Sequence, residues 1–127
     1  MSTAFIFPGQ GSQSICMMNA LAESSKNIQD TFTEASSVLG YDLWELVTDG
    51  PAEKLNSTEY TQPAMLTAGV ATWRAWLEAG GTEPDLMAGH SLGEYTALVC
   101  AGAMNFTDAV ALVSDRASFM QQAVPEG

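Results

Sequence analysis

Leu86-Met87-Ala88-Gly89-His90-Ser91-Leu92-Gly93-Glu94 decides how this chain is read. A short apolar run, introduced by Pro84-Asp85, passes into a glycine-flanked turn and then into the apolar stretch Glu94 to Ala101. The run is too short for a helix and reads as a buried strand. The stretch after the turn reads as a helix. Gly89-His90-Ser91-Leu92-Gly93 therefore matches G-x-S-x-G in the context that pattern requires, a sharp strand-to-helix turn. The flanking glycines allow close backbone approach and leave the serine hydroxyl free. The helix N-terminus favours negative charge there, and the amide of Leu92 can donate to an oxyanion. Two readings of Ser91 follow: a nucleophile on an elbow, or the N-cap of an ordinary tight turn. His90 is the sole histidine of the sequence. His90 is a candidate general base for Ser91, but neighbouring side chains on a turn usually diverge; the favoured reading is that His90 orients the turn or lines a pocket and that the base is a histidine from elsewhere.

Working outward, Thr3-Ala4-Phe5-Ile6-Phe7 reads as a second buried strand, stopped by Pro8-Gly9. A mostly helical stretch follows to about Leu39. From Lys26 on it carries Ile28, Phe32, Ala35 and Leu39 on one face and is closed by Gly40. Tyr41 to Val47 reads as a short helix ended by Asp49-Gly50-Pro51. Thr61-Gln62-Pro63 opens a long helix, with Thr61 or Gln62 near the N-cap and Pro63 in the first turn. Leu66, Val70, Trp73 and Leu77 then recur at helical spacing until Gly80-Gly81. Thr107 is the expected N-cap of a last helix, from Asp108 to about Ala123. Helices alternating with short buried strands predict an α/β fold in which helices flank a parallel sheet that carries the elbow. Two strands cannot complete such a sheet, so the chain reads as part of a larger domain.

Two further constellations carry candidate chemistry. Pro8-Gly9-Gln10-Gly11-Ser12-Gln13 follows a strand, as a phosphate loop would. It lacks the third glycine of G-x-G-x-x-G and the lysine of a P-loop, which excludes nucleotide binding of those types. Gln10 is either a second backbone oxyanion donor, paired with Leu92, or part of a structural turn. On the last helix Ala109, Leu112, Val113, Arg116, Phe119 and Met120 recur at spacings of three and four. An arginine on an apolar stripe requires a partner. Arg116 pairs with a structural carboxylate, or reaches water, or receives a substrate carboxylate in a bidentate fork.

Composition narrows the function classes. The net charge of −11 argues against nucleic acid, whose phosphates would be repelled. No apolar stretch is long enough to span a bilayer, and residues 1–20 lack the pattern of a secretion signal, so a cytoplasmic protein is expected. Cys16 and Cys100 read as reduced core thiols, and one histidine makes an internal zinc site untenable. No metal is expected.

Phe7-Pro8-Gly9-Gln10-Gly11-Ser12-Gln13, Thr61-Gln62-Pro63-Ala64, Gly89-His90-Ser91-Leu92-Gly93-Glu94-Tyr95, Arg116 and Ala123-Val124-Pro125-Glu126-Gly127 together resemble the malonyl-CoA:acyl carrier protein transacylases of bacterial fatty-acid synthesis. The likeness runs along nearly all 127 residues. It implies transfer of a malonyl group from malonyl-CoA to acyl carrier protein through an ester on Ser91. Coenzyme A is part of the substrate, and no cofactor is implied. The amides of Gln10 and Leu92 would form the oxyanion hole, Arg116 would bind the malonyl carboxylate, and Gln62 would line the pocket. Leu92 leans toward malonyl, since methylmalonyl-selective relatives often carry glutamine after the serine. The resemblance further implies that residues 1–127 are the N-terminal part of one acyltransferase domain with an α/β-hydrolase-like large subdomain. The base histidine, its orienting partner and a ferredoxin-like small subdomain would follow on a continuation or a second chain, so this chain alone would be inactive. Both proposed partners, coenzyme A and acyl carrier protein, are acidic. The four bases Lys26, Lys54, Arg74 and Arg116 are then either well placed, or the basic docking surface lies elsewhere. The competing expectations are a serine hydrolase such as a thioesterase, and an inactive piece that binds the rest of its enzyme.

Overall fold

The computed structural model describes residues 4–7, 17–81, 86–89 and 92–123. The two apolar runs form strands, β1 (Ala4–Phe7) and β2 (Leu86–Gly89). They pair in parallel, with Ala4 opposite Leu86 and Phe7 opposite Gly89. The remaining elements are helices: α1 (Asn19–Ser24), α2 (Lys26–Leu39), α3 (Leu43–Asp49), α4 (Ala52–Leu55), α5 (Thr58–Glu78), α6 (Leu92–Cys100) and α7 (Phe106–Ala123). The parallel pair agrees with the expected sheet type. Among the described residues, helix predominates.

Helix α5 is the hub, packed against α2, α6 and α7. Its middle is buried on all sides, from Thr61 to Ala68 and again at Val70, Ala71 and Trp73. A helix apolar all round belongs in an interior, whereas the spacing of Leu66, Val70, Trp73 and Leu77 suggested a single buried face. Leu77, at the C-terminal end, is exposed. Around α5, Ile28, Phe32 and Ala35 of α2, Leu43, Leu46 and Val47 of α3, and Ala109, Val110 and Val113 of α7 complete one core. Phe32 and Trp44 meet edge to face at 5.3 Å between ring centroids, an arrangement aromatic quadrupoles favour. Gly40 closes α2 as expected. Its N–H donates to the Ser36 carbonyl, and its φ of 84°, left-handed backbone that glycine adopts without a Cβ clash, turns the chain out of the helix.

Two helix starts differ from the sequence reading. Helix α5 begins a turn early, at Thr58, so Pro63 lies inside it. The Ser57 carbonyl accepts from the amides of Tyr60 and Thr61. The Thr61 hydroxyl donates backward, to the carbonyls of Leu55 and Ser57, rather than capping the amides that follow. It thereby ties the end of α4 to the start of α5. Helix α7 is capped by Asn105, not Thr107. Asn105 Oδ1 accepts from the Thr107 amide at 3.0 Å and from the Thr107 hydroxyl at 2.7 Å. An asparagine carbonyl is among the strongest N-cap acceptors. The stretch before Leu39 is also two helices, broken at Ser25, whose φ of −142° and ψ of 123° are extended. No helix among the described residues is long and apolar enough to cross a membrane.

Candidate active site

Strand β2 ends at Gly89 and helix α6 starts at Leu92. Strand and helix are therefore joined by His90 and Ser91, which lie outside the described residues, as do Gln10 and Cys16. The geometry on either side of the joint is specific. A Cβ built at Gly89 would stand 1.9 Å from both the carbonyl carbon and the carbonyl oxygen of Gly93. The end of the strand and the first turn of the helix thus touch backbone to backbone, and only glycine at 89 admits the contact. The first letter of G-x-S-x-G has this packing reason here. Leu92 has no exposed surface, and its side chain pins the start of α6 into the core. Helix α6 in turn packs on both strands.

Gly89→Ala is expected to destabilise the full-length protein severely, because backbone atoms on both sides must move apart. Overpacking of ordinary core sites costs about 1–3 kcal/mol, and this contact offers no flexible side chain to yield. A fall in the urea unfolding midpoint with loss of turnover is the expected result. An alanine variant with an unchanged midpoint would contradict the close approach.

Gln62, Tyr95 and Arg116 come together from three helices. Gln62, on α5, is 1 % exposed. Its Oε1 accepts a hydrogen bond of 2.5 Å from Nη1 of Arg116 on α7. The Arg116 guanidinium also lies over the Tyr95 ring, with Cζ 5.5 Å from the centroid. Tyr95 belongs to the first turn of α6, so Arg116 is delivered to the end of α6 that follows Ser91. The contact with Gln62 is charge-assisted on a neutral acceptor.

The apolar stripe that first drew attention to Arg116 divides in the folded chain. Phe106, Ala109, Val110, Val113 and Ala117 face the core. Leu112, Phe119 and Met120 are exposed, Phe119 at 71 %. Helical periodicity centres the buried face on residues 106, 110, 113 and 117, so Arg116 falls at its edge and is only partly covered. The sequence reading placed Arg116 and Gln62 at one site, and the structure brings them into contact. It did not single out Tyr95. The available signal was an aromatic residue within one turn of Ser91 on a helix that also had to meet Arg116.

Two of the other three bases are occupied differently, and the third, Lys26, is exposed at the start of α2. Arg74 Nη1 contacts Glu34 Oε2 at 3.0 Å and Thr31 Oγ1 at 3.2 Å, joining α5 to α2. Lys54 Nζ lies 4.7 Å from the Tyr60 ring centroid and 5.9 Å from that of Tyr41. Cys100 is buried in the core, as expected of a core thiol. Burial pushes it up to about 12, against an opposing influence from Arg74. A thiol held protonated at neutral pH is a poor nucleophile, so Cys100 does not compete with Ser91.

The sequence pattern of the acyl transferase domain matches residues 4–127. The chain is 63% identical over 124 residues to the malonyl CoA-acyl carrier protein transacylase of Salmonella typhimurium, a match covering 98% of this chain and 40% of the relative. Among solved structures it is similar to an acyl carrier protein S-malonyltransferase from Vibrio cholerae, with a TM-score of 0.96 and 57% identity over 100% of this chain and 42% of that one. It is also similar to a malonyl-transacylase solved in complex with its type II polyketide acyl carrier protein. There the TM-score is 0.97 and the identity 58%, covering 100% of this chain and 41% of that one. The chain spans about two fifths of the length of the relatives it matches.

Proposed function

The chain belongs to the acyl transferase domain family, and on that footing we propose that residues 1–127 are the N-terminal part of one acyltransferase domain that moves malonyl groups from malonyl-CoA to acyl carrier protein in fatty-acid synthesis. The observation that carries this reading is the delivery of Arg116, through Gln62 and Tyr95, to the first turn of the helix that follows Ser91. A serine hydrolase has no need of a guanidinium there. An enzyme whose acyl group ends in a carboxylate does.

The reaction runs in two balanced halves. Ser91 Oγ attacks the thioester carbonyl of malonyl-CoA while a base removes its proton. The carbonyl oxygen becomes an oxyanion, held by the backbone amides of Gln10 and Leu92. The oxyanion collapses, the C–S bond breaks, and the coenzyme A thiolate takes the proton from the protonated base. The phosphopantetheine thiol of acyl carrier protein then attacks the seryl ester in the same manner and restores Ser91. The base is a histidine outside residues 1–127, since His90 adjoins the nucleophile and is the sole histidine here. General-base help is worth about 10²–10⁴-fold, so this chain by itself is inactive or nearly so. Throughout, Arg116 holds the distal carboxylate of the malonyl group and Gln62 holds Arg116.

In this reading the elbow sits on an α/β-hydrolase-like large subdomain, of which β1 and β2 are two strands. The ferredoxin-like small subdomain comes from the remaining length of the enzyme. With Arg74 engaged on α2 and Lys54 on the Tyr41–Tyr60 pair, Lys26 is the one exposed base left besides Arg116 among the described residues, and the basic surface for acidic acyl carrier protein lies mainly in that remaining part. The enzyme works in the cytoplasm and uses no cofactor beyond its thioester substrate.

The test follows the fate of the malonyl group. Full-length protein incubated with malonyl-CoA and acyl carrier protein bearing its phosphopantetheine arm should produce malonyl-acyl carrier protein and free coenzyme A in equal amounts. Release of free malonate, with no transfer to the carrier protein, would identify a hydrolase and overturn the proposal.

A further inference from the structure

We propose that Tyr95 is a positioning residue for acyl-group selection, its ring face fixing the guanidinium of Arg116 for the substrate carboxylate. The inference rests on the reading of Arg116 given above and adds a residue and a mechanism to it. Arg116 has a long side chain on the edge of α7, beside exposed Leu112, Phe119 and Met120. Such a side chain loses rotamer freedom when it is ordered. Among the described residues, contacts from two other helices help to order it: Gln62 Oε1 on α5 and the Tyr95 ring on α6. The first fixes one nitrogen of the fork and the second offers the negative face of an aromatic quadrupole to the cation. A planar guanidinium held by one edge and supported over a ring has a defined plane, and a bidentate carboxylate contact depends on that plane. Tyr95 and Leu92 lie in the first turns of the same helix. The ring therefore couples the direction of the carboxylate-binding fork to the helix that follows the nucleophile.

The experiment compares Tyr95→Phe and Tyr95→Leu with wild type in the full-length protein, reading kcat/KM for malonyl-CoA and for acetyl-CoA. The ratio of the two cancels the fraction of enzyme that is folded, which a loss of stability alone would change. Tyr95→Leu should lower the malonyl-to-acetyl ratio by about 5- to 30-fold, which converts to about 1–2 kcal/mol, the range of a partly desolvated cation–π contact. Tyr95→Phe keeps the ring and should keep the ratio. If Tyr95→Leu does not fold, Tyr95→Met, unbranched and of similar length, makes the same comparison. In an Arg116→Ala background the Leu change should leave the ratio where Arg116→Ala alone puts it. Equal losses for both substrates in Tyr95→Leu, or a lost ratio in Tyr95→Phe, would overturn the positioning role while leaving the role of Arg116 intact. An unchanged ratio in Arg116→Ala itself would overturn both.

Discussion

Replacing Ser91 by alanine in the full-length protein is expected to reduce malonyl transfer by about 10³–10⁶-fold while leaving the unfolding free energy within about 1 kcal/mol of wild type. The effect is large because the reaction has no second route. Without Oγ there is no covalent intermediate, and the incoming thiol would have to meet malonyl-CoA directly in a site shaped for one acyl group at a time. Cys100 cannot substitute, since its buried thiol stays protonated. The folded protein should tolerate the change, because Gly89 and Leu92 supply close packing on either side of the joint, and serine-to-alanine removes a single oxygen atom. Steady-state transfer and urea unfolding on the same preparation separate the two effects. Substantial residual transfer from a well-folded Ser91→Ala protein would remove Ser91 from the chemistry.

The second large effect belongs to Arg116. Removing one partner of a desolvated, hydrogen-bonded charge pair costs roughly 2–5 kcal/mol, or about 30- to several-thousand-fold. Arg116→Ala should lower kcat/KM for malonyl-CoA by that order. Acetyl-CoA has no distal carboxylate to lose, so acetyl transfer should be spared or improved. Arg116→Lys should rescue poorly, because an ammonium group supplies charge but not two parallel hydrogen bonds, and cannot reproduce the planar contact with the Tyr95 ring. The measured quantity is the ratio of the two kcat/KM values, mutant against wild type. Equal losses for malonyl and acetyl would make Arg116 a structural link between α5 and α7 and would leave the hydrolase reading standing.

Much of this was legible in the sequence for identifiable reasons. The strands announced themselves as short apolar runs cut off by glycine and proline, and α2 by a spaced apolar face with Gly40 at its end. What failed were the polar helix starts. Thr61 and Thr107 both carry hydroxyls at helix beginnings, but each donates its proton to a neighbouring oxygen instead of capping an amide. Spacing alone does not reveal the direction of that bond. Pro63 misled for a related reason, since the turn before it, Thr58 to Tyr60, is polar and carries no periodic signal. At the site, Arg116 stood out because a charge on an apolar stripe demands an explanation. The sequence resemblance suggested Gln62 as a pocket residue. The meeting of Gln62, Tyr95 and Arg116 was not legible, because it depends on how α5, α6 and α7 cross, and that angle is set by the whole core.

The central claim is that Ser91 carries the malonyl group, and the most direct measurement is the mass of the protein after brief mixing with malonyl-CoA in the absence of acyl carrier protein, followed by peptide mapping. The account predicts one malonyl ester per full-length molecule, located on the peptide containing Ser91, absent from Ser91→Ala and discharged by addition of the carrier protein's thiol. An ester mapped to another residue, or transfer to the carrier protein with no acyl-enzyme formed, would contradict it.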